Sequence, residues 1–183
     1  MIRVGNSFTH ASQKPFDDGT IRAEQMFARL SDGTVLTESG ALAPGVIVNE
    51  FDTYLYAVDL AAKYRGWSAH GEYFFRWLND FSTDGGAIPY TDLYDDGFYV
   101  DVGVMLIKQK LELVGRISAV DGFFGDAREY AAGINLYING DHSNKLSFDA
   151  SVLDGNPASN SSPNYRVGQD GVLFRMQWQA ATY

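Results

Sequence analysis

The sequence predicts an all-β fold, an antiparallel sheet curled into a barrel with one apolar and one polar face. Three observations predict it. From about residue 52 onward, runs of about 11 to 13 residues alternate apolar with polar side chains. These runs are joined by tight turns and long polar stretches in alternation. No apolar run reaches the ~18 residues of a membrane-spanning helix, whereas tilted strands of about ten residues, apolar outward and polar inward, are what a membrane-spanning barrel needs.

Eight strands are predicted: roughly residues 2–9, 52–64, 67–79, 97–107, 110–120, 128–139, 144–153 and 171–183. Side chains alternate sides along a strand, so each strand has a readable phase. In the second, Tyr54, Tyr56, Val58, Leu60, Ala62 and Tyr64 share one face, and Thr53, Ala57, Asp59 and Lys63 the other. In the third, Trp67, Ala69, Tyr73, Phe75 and Trp77 oppose Ser68, His70, Glu72 and Arg76. The fourth sets Phe98, Val100, Val102, Val104 and Leu106 against Tyr99, Asp101, Gly103 and Met105, and the fifth sets Leu111, Leu113, Ile117 and Ala119 against Glu112, Arg116 and Ser118. Tyr130, Ala132, Ile134, Leu136 and Ile138 oppose Glu129, Ala131, Gly133 and Asn135 in the sixth. Leu146, Phe148, Ala150 and Val152 oppose Ser147, Asp149 and Ser151 in the seventh, and Val172, Phe174, Met176 and Trp178 oppose Arg175, Gln177 and Gln179 in the last. One greasy face running through consecutive strands is the pattern of a one-sided sheet.

The tight links are Arg65-Gly66, Lys108-Gln109 and 140–143; the long ones are 80–96, 121–127 and 154–170. Short turns on one rim and long loops on the other are the habit of outer-membrane barrels. Residues 10–51 break the pattern. Pro15, Pro44, Asp17-Asp18-Gly19 and Ser31-Asp32-Gly33 read as turns, and Thr20–Leu30 as a short helix, a ninth strand or irregular chain. A loop this long is expected either to lie on the surface or to fold into the lumen and narrow it.

At 183 residues the chain is expected to be a single domain, either a β-barrel or half of one. It has no Cys, and 11 Tyr and 12 Phe, which suit strands and interfacial girdles. A net charge of −9 argues against nucleic acid as a partner. Met1-Ile2-Arg3-Val4-Gly5-Asn6 carries neither the basic nor the apolar region of an export signal. A mature form, or a fragment beginning at an internal Met, is therefore expected.

Several short stretches occur in a telling order: Arg29-Leu30-Ser31-Asp32-Gly33-Thr34, then Pro44-Gly45-Val46-Ile47-Val48-Asn49, Lys63-Tyr64-Arg65-Gly66, Gly71-Glu72-Tyr73 and Arg76-Trp77-Leu78. Leu111-Glu112-Leu113, Arg116-Ile117-Ser118, Gly125-Asp126, Glu129 and Gly133-Ile134-Asn135 follow. Together they resemble the C-terminal half of phosphate-selective porin O/P-type outer-membrane porins. The resemblance implies a sixteen-stranded barrel of which this chain supplies about eight strands, a homotrimer, outer-membrane lipid around it, small hydrophilic solutes or ions passing through it, and no cofactor. It favours the fragment over the mature form. The chain departs from such porins at its end: Tyr183 shares a face with Gln177 and Gln179, whereas Trp178, Met176 and Phe174 are in phase with a residue at 184, so one terminal residue is expected to be missing.

Known members of that family select phosphate-type anions with basic residues in the lumen. Here the polar phase gives a mixed wall. Its cations are Arg3, Lys63, Arg76, Arg116, Lys145 and Arg175, and its anions Asp59, Glu72, Asp101, Glu112, Glu129 and Asp149, an even balance. With His70 and Asn135 these are the candidate pore-lining residues, Lys145 being counted for charge alone. A balanced wall predicts weak selectivity. Glu72 and Arg76, like Glu112 and Arg116, are four residues apart, roughly 13 Å in a strand, so each is expected to find a partner across strands. Such pairs either set a transverse field across the lumen or simply satisfy the wall.

The acidic stretch Asp92–Asp96 suits a divalent cation in composition, but it lacks the spaced ligands of a calcium loop and reads more simply as a solvated loop. No metal site is assigned. His10, His70 and His142 are the three histidines; His70 and Glu72 share a face, but no Ser is placed to complete a nucleophile, base and orienter set with them, and no hydrolase, zinc-protease or nucleotide-binding motif occurs. No catalytic residue is assigned and an enzyme is not expected. Asn160-Ser161-Ser162 has the form of a glycosylation acceptor, without meaning in a bacterial envelope. The expected function is passive diffusion of small hydrophilic solutes or ions across a bacterial outer membrane. Two alternatives stand beside it. One is a complete eight-stranded outer-membrane barrel with a structural or adhesive role, though Ala57, Ala61, Gly103, Ala131 and Gly133 leave its interior underfilled. The other is a soluble ligand-binding barrel with the phase reversed and Trp67, Tyr73, Trp77 and Trp178 inside.

Overall fold

A computed structural model describes residues 1–14, 28–141, 143–155 and 168–181. Eight strands form one sheet: β1 (Ile2–Gln13), β2 (Ile47–Tyr64), β3 (Trp67–Asp84), β4 (Asp92–Ile107), β5 (Leu111–Gly122), β6 (Gly125–Tyr137), β7 (Asn144–Asp154) and β8 (Gly171–Ala180). They lie in sequence order, each antiparallel to the next. Among the described residues the sheet is not closed: β1 pairs with β2 and β8 with β7, and β1 and β8 do not pair with each other. No helix among the described residues is long and apolar enough to cross a membrane.

The turns follow from local chemistry. Arg65 and Gly66 both have positive φ, 46° and 86°, as a two-residue hairpin turn matched to strand twist requires. The β4–β5 link spans residues 108–110, with Gln109 at φ 60°. On the opposite rim the expected lengths need correction. β3 and β4 continue well past their predicted ends, so seven residues (85–91) join them. Phe123-Phe124 is a two-residue turn between β5 and β6, not a long loop. The alternation of the apolar phase had already ended at the acidic and glycine residues there, although the backbone ladder runs on. The polar residues that looked like loop are strand ends.

The 10–51 connection is likewise shorter, residues 14–46, because β1 extends to Gln13 and β2 begins at Ile47. The predicted turn at 17–19, most of the 20–30 segment, His142, the 160–162 motif and Tyr183 lie outside the described residues. Ser31-Asp32-Gly33 is a turn: Gly33 N–H donates to Leu30 O at 2.8 Å, and Asp32 accepts from Thr34 N–H at 2.9 Å and Thr34 Oγ1 at 3.0 Å.

Register across the sheet is staggered. A line perpendicular to the strands runs from Ile2 through Ala62, Ala69, Val102, Gly115, Ala132 and Ala150 to Phe174. It starts at the tip of β1 and ends well inside β8, so the strands tilt relative to the rim, as they do in barrels. Near the far rim the β2–β3 register shifts twice, between Val48 and Glu50 and between Glu50 and Asp52, opposite Asp80 at φ 54°. Such bulges bend a strand locally.

The apolar core is small and sits on one side of the sheet. Leu30, Leu36 and Leu42 from the 28–46 segment pack with Val48, Phe51, Leu78 and Leu93 from the strands, flanked by Phe81, Ile88, Tyr90 and Phe124. Leu78 and Leu93 share the phase of Arg76 and Tyr99, so the segment covers the polar face of the sheet at its far rim.

Candidate membrane face and polar trough

The two faces differ in what covers them. The apolar phase is bare on all eight strands: Trp67 is 62% exposed, Val102 48%, Trp178 69% and Phe174 78%. Exposed patches on water-soluble monomers rarely exceed a few hundred Å²; this one runs from Ile2 and Val4 on β1 to Val172 on β8. Its chemistry is graded along the strands. Val, Leu, Ile and Phe fill the middle, Tyr64, Trp67 and Trp178 stand near the short-turn rim, and Tyr54, Trp77 and Tyr94 near the other. Aromatic rings join β2 to β4 through the pairs Tyr56–Phe75, Tyr73–Phe75, Tyr73–Phe98, Phe75–Trp77 and Trp77–Tyr94. Polar groups appear where the apolar run stops: Tyr73 Oη donates to Asp96, and Arg128 pairs with Asp121 at 2.6 Å.

All thirteen pore-lining candidates lie in described strands, and all share the opposite face. Cross-strand pairing is the rule there. Arg3 meets Asp59 at 3.2 Å, Arg116 meets Asp101 at 2.5 Å, and Arg175 meets Asp149 at 2.6 Å and Glu129 at 3.7 Å. Glu72 accepts from Tyr99 Oη at 3.1 Å, with His70 Nδ1 3.4 Å from the same hydroxyl. Glu112 accepts from Asn135 Nδ2 at 2.9 Å and Tyr137 Oη at 2.7 Å, and Asn135 Oδ1 accepts from Ser147 at 2.6 Å. Small residues make room: a side chain at Gly103 would strike Ser68 Oγ and Glu112 Oε1, and Gly5 lies beneath the Asp59 carboxylate.

Lys63, His70, Asp101, Arg116, Asp149 and Arg175 border one trough of about 530 Å³ whose walls reach from β2 to β8. A second cavity, about 390 Å³, lies where Arg29, Leu30 and Ser31 face Phe74, Tyr99 and Val120.

Asp95 was missed. It faces Arg76 across β3–β4 and carries the most enclosed ion pair of the face: Nη2 lies 3.0 Å from Oδ1 and 2.5 Å from Oδ2, and Asp95 is 7% exposed. Extending the phase of Asp101 and Tyr99 back through Gly97 would have found it. With Asp95 included, the even charge balance tips to one excess carboxylate. The Asp92–Asp96 stretch is strand, not loop, and its side chains alternate between faces, so its carboxylates do not converge. Among the described residues no three His, Asp or Glu side chains gather as metal ligands.

Comparison of the chain with protein-family models, curated proteins and solved structures gave no match.

Proposed function

We propose that the chain forms part of the wall of a transmembrane β-barrel in the bacterial outer membrane, through which small hydrophilic solutes or ions diffuse with weak selectivity. One observation carries the proposal. The continuous apolar face is the bare one, while the polar face is the one a chain segment covers. A water-soluble barrel needs the reverse. The dimensions suit a bilayer as well. From Tyr54 to Tyr64 is ten steps, roughly 33 Å along the strand, which a tilt of about 40° reduces to the ~25 Å apolar height of outer-membrane barrels. The ordered motifs that resemble porin O/P-type proteins support the same reading.

Width favours a channel over a plugged eight-stranded barrel. Eight strands closed on themselves leave an interior that side chains fill. Here residues 28–46 already occupy the polar face. In hydrocarbon every backbone group must be satisfied, so β1 and β8 need further strands, and sixteen strands in all accommodate the segment and a passage beside it. Refolded alone in detergent, the chain is therefore expected to give no heat-modifiable monomer on gels. A compact monomer that unfolds on boiling would mean that eight strands suffice.

The functional test is ion selectivity of the detergent-extracted protein in planar bilayers. Each lumen arginine is matched by a carboxylate, so a reversal potential close to zero in a salt gradient is expected. Asp101→Asn leaves Arg116 unneutralised and should move the potential toward anions; Arg116→Gln should move it toward cations. Recovery of the protein from cells in the soluble fraction without detergent would overturn the proposal.

A further inference from the structure

We infer that the Arg76–Asp95 pair is a latch that positions residues 28–46 against the polar face of the sheet. Four lumen arginines pair with an aspartate on the neighbouring strand, but Arg76 differs from Arg3, Arg116 and Arg175 in two ways. Its pair is the most enclosed, with side-chain exposures of 25% and 9%, against 45% and 34% for Arg116–Asp101. Its guanidinium also reaches off the sheet. Nη2 donates to the backbone carbonyl of Arg29 at 2.6 Å while holding Asp95. A planar fork can serve a carboxylate and a carbonyl at once; an ammonium is a point charge.

The contact falls on a stiff piece of chain. Arg29 Nη1 donates to Gly33 O at 2.7 Å, and Asp32 closes the turn that follows. Two residues on from the carbonyl, Ser31 Oγ accepts from Phe124 N–H at 3.1 Å, at the β5–β6 turn. Ser31 packs so closely over Gly122 that a side chain there would lie 2.6 Å from Ser31 Cβ. The segment is thus tied at 29 to β3 and β4 and at 31 to the end of β5. The apolar cluster of Leu30, Leu36 and Leu42 supplies burial without direction. The arginine supplies direction. Enclosed ion pairs are seldom the most stabilising choice at a site, since apolar residues of similar volume often serve as well or better, so positioning accounts for this one. The consequence for bore rests on the channel reading; the contact itself does not.

The test uses trypsin on the detergent-extracted protein. The bond after Arg29 has the latched carbonyl, and Leu30 and Ser31 beyond it are 2% and 3% exposed. In the parent protein this bond should resist cleavage. The double variant Arg76→Met/Asp95→Leu removes both charges and leaves none buried, so it should fold and yet be cut at Arg29 about tenfold faster or more, the opening that loss of one charge-assisted hydrogen bond allows. Arg76→Lys keeps a charge beside Asp95 but loses the fork, and should fall between the two. Arg116→Met/Asp101→Leu, away from the segment, should cleave at the parent rate. Parent-like protection in both Arg76 variants would overturn the latch. Faster cleavage with larger single-channel conductance supports latch and bore together. Faster cleavage with unchanged conductance overturns control of the bore. Faster cleavage in a protein that shows no channel supports the latch and overturns the channel reading alone.

Discussion

Val102→Arg is expected to destabilise the folded protein in lipid by about 2–4 kcal/mol, the cost that the proposed membrane placement assigns to a cation on the lipid face at mid-membrane depth. Val102 is the third of five apolar positions on β4, between Phe98 and Leu106, and nothing in the chain covers it. On a wetted surface the same change would cost within about 0.5 kcal/mol. Ser118→Arg provides the matched control. Ser118 lines the second cavity on the polar face and donates to Glu129 at 3.3 Å, so an arginine there finds space and a carboxylate, and should cost little. Depth separates a bilayer from a protein core, which would also reject a charge at Val102. Moved to Leu106, near the rim, the arginine should cost only about 0–1 kcal/mol in a bilayer. Urea unfolding of membrane-extracted protein reconstituted in lipid vesicles, followed by tryptophan fluorescence, measures all three. Equal costs at Val102 and Leu106 would refute lipid as the partner of this face.

The phase of every strand was legible because one face is continuously apolar, and a period of two leaves little freedom once that face is fixed. Placement of Arg116, Asp101, Asp149 and Arg175 on one face followed directly. Strand length was not legible. At the far rim the apolar signal stops before the ladder does: Asp95, Asp96, Asp121 and Asp126 read as loop but are paired strand residues. Two bulges and a positive φ at Asp80 shift the phase there as well, and no residue pattern announces them. Nor was the packing of Leu30, Leu36 and Leu42 visible. Three leucines six residues apart, with Asp32, Thr34, Glu38 and Gly40 between them in the same phase, make no continuous apolar face, and their meaning comes from Leu78 and Leu93, far along the chain.

Arg76→Ala is expected to cost about 3–5 kcal/mol, because it leaves Asp95 enclosed without a counter-charge. The contrast lies on the same face. Arg116→Ala removes a pair of similar geometry, 2.5 Å, but both partners are a third or more exposed, so water replaces the lost cation and the cost should be about 0–1 kcal/mol. Distance alone would rank the two pairs equal; enclosure separates them. Asp95→Ala should be as damaging as Arg76→Ala, since the guanidinium then keeps only the Arg29 carbonyl. The double variant Arg76→Met/Asp95→Leu should regain most of the loss, because the penalty in each single variant comes from the charge left behind. Denaturant midpoints of the parent, Arg76→Met, Asp95→Leu and Arg76→Met/Asp95→Leu proteins, each extracted folded from membranes in one detergent, form a double-mutant cycle, and the coupling it reports should exceed that of the Arg116→Met and Asp101→Leu cycle by about 2 kcal/mol or more. Equal coupling in the two cycles would mean that water reaches Asp95 as freely as Asp101, and that the 28–46 segment does not seal the rim where it packs.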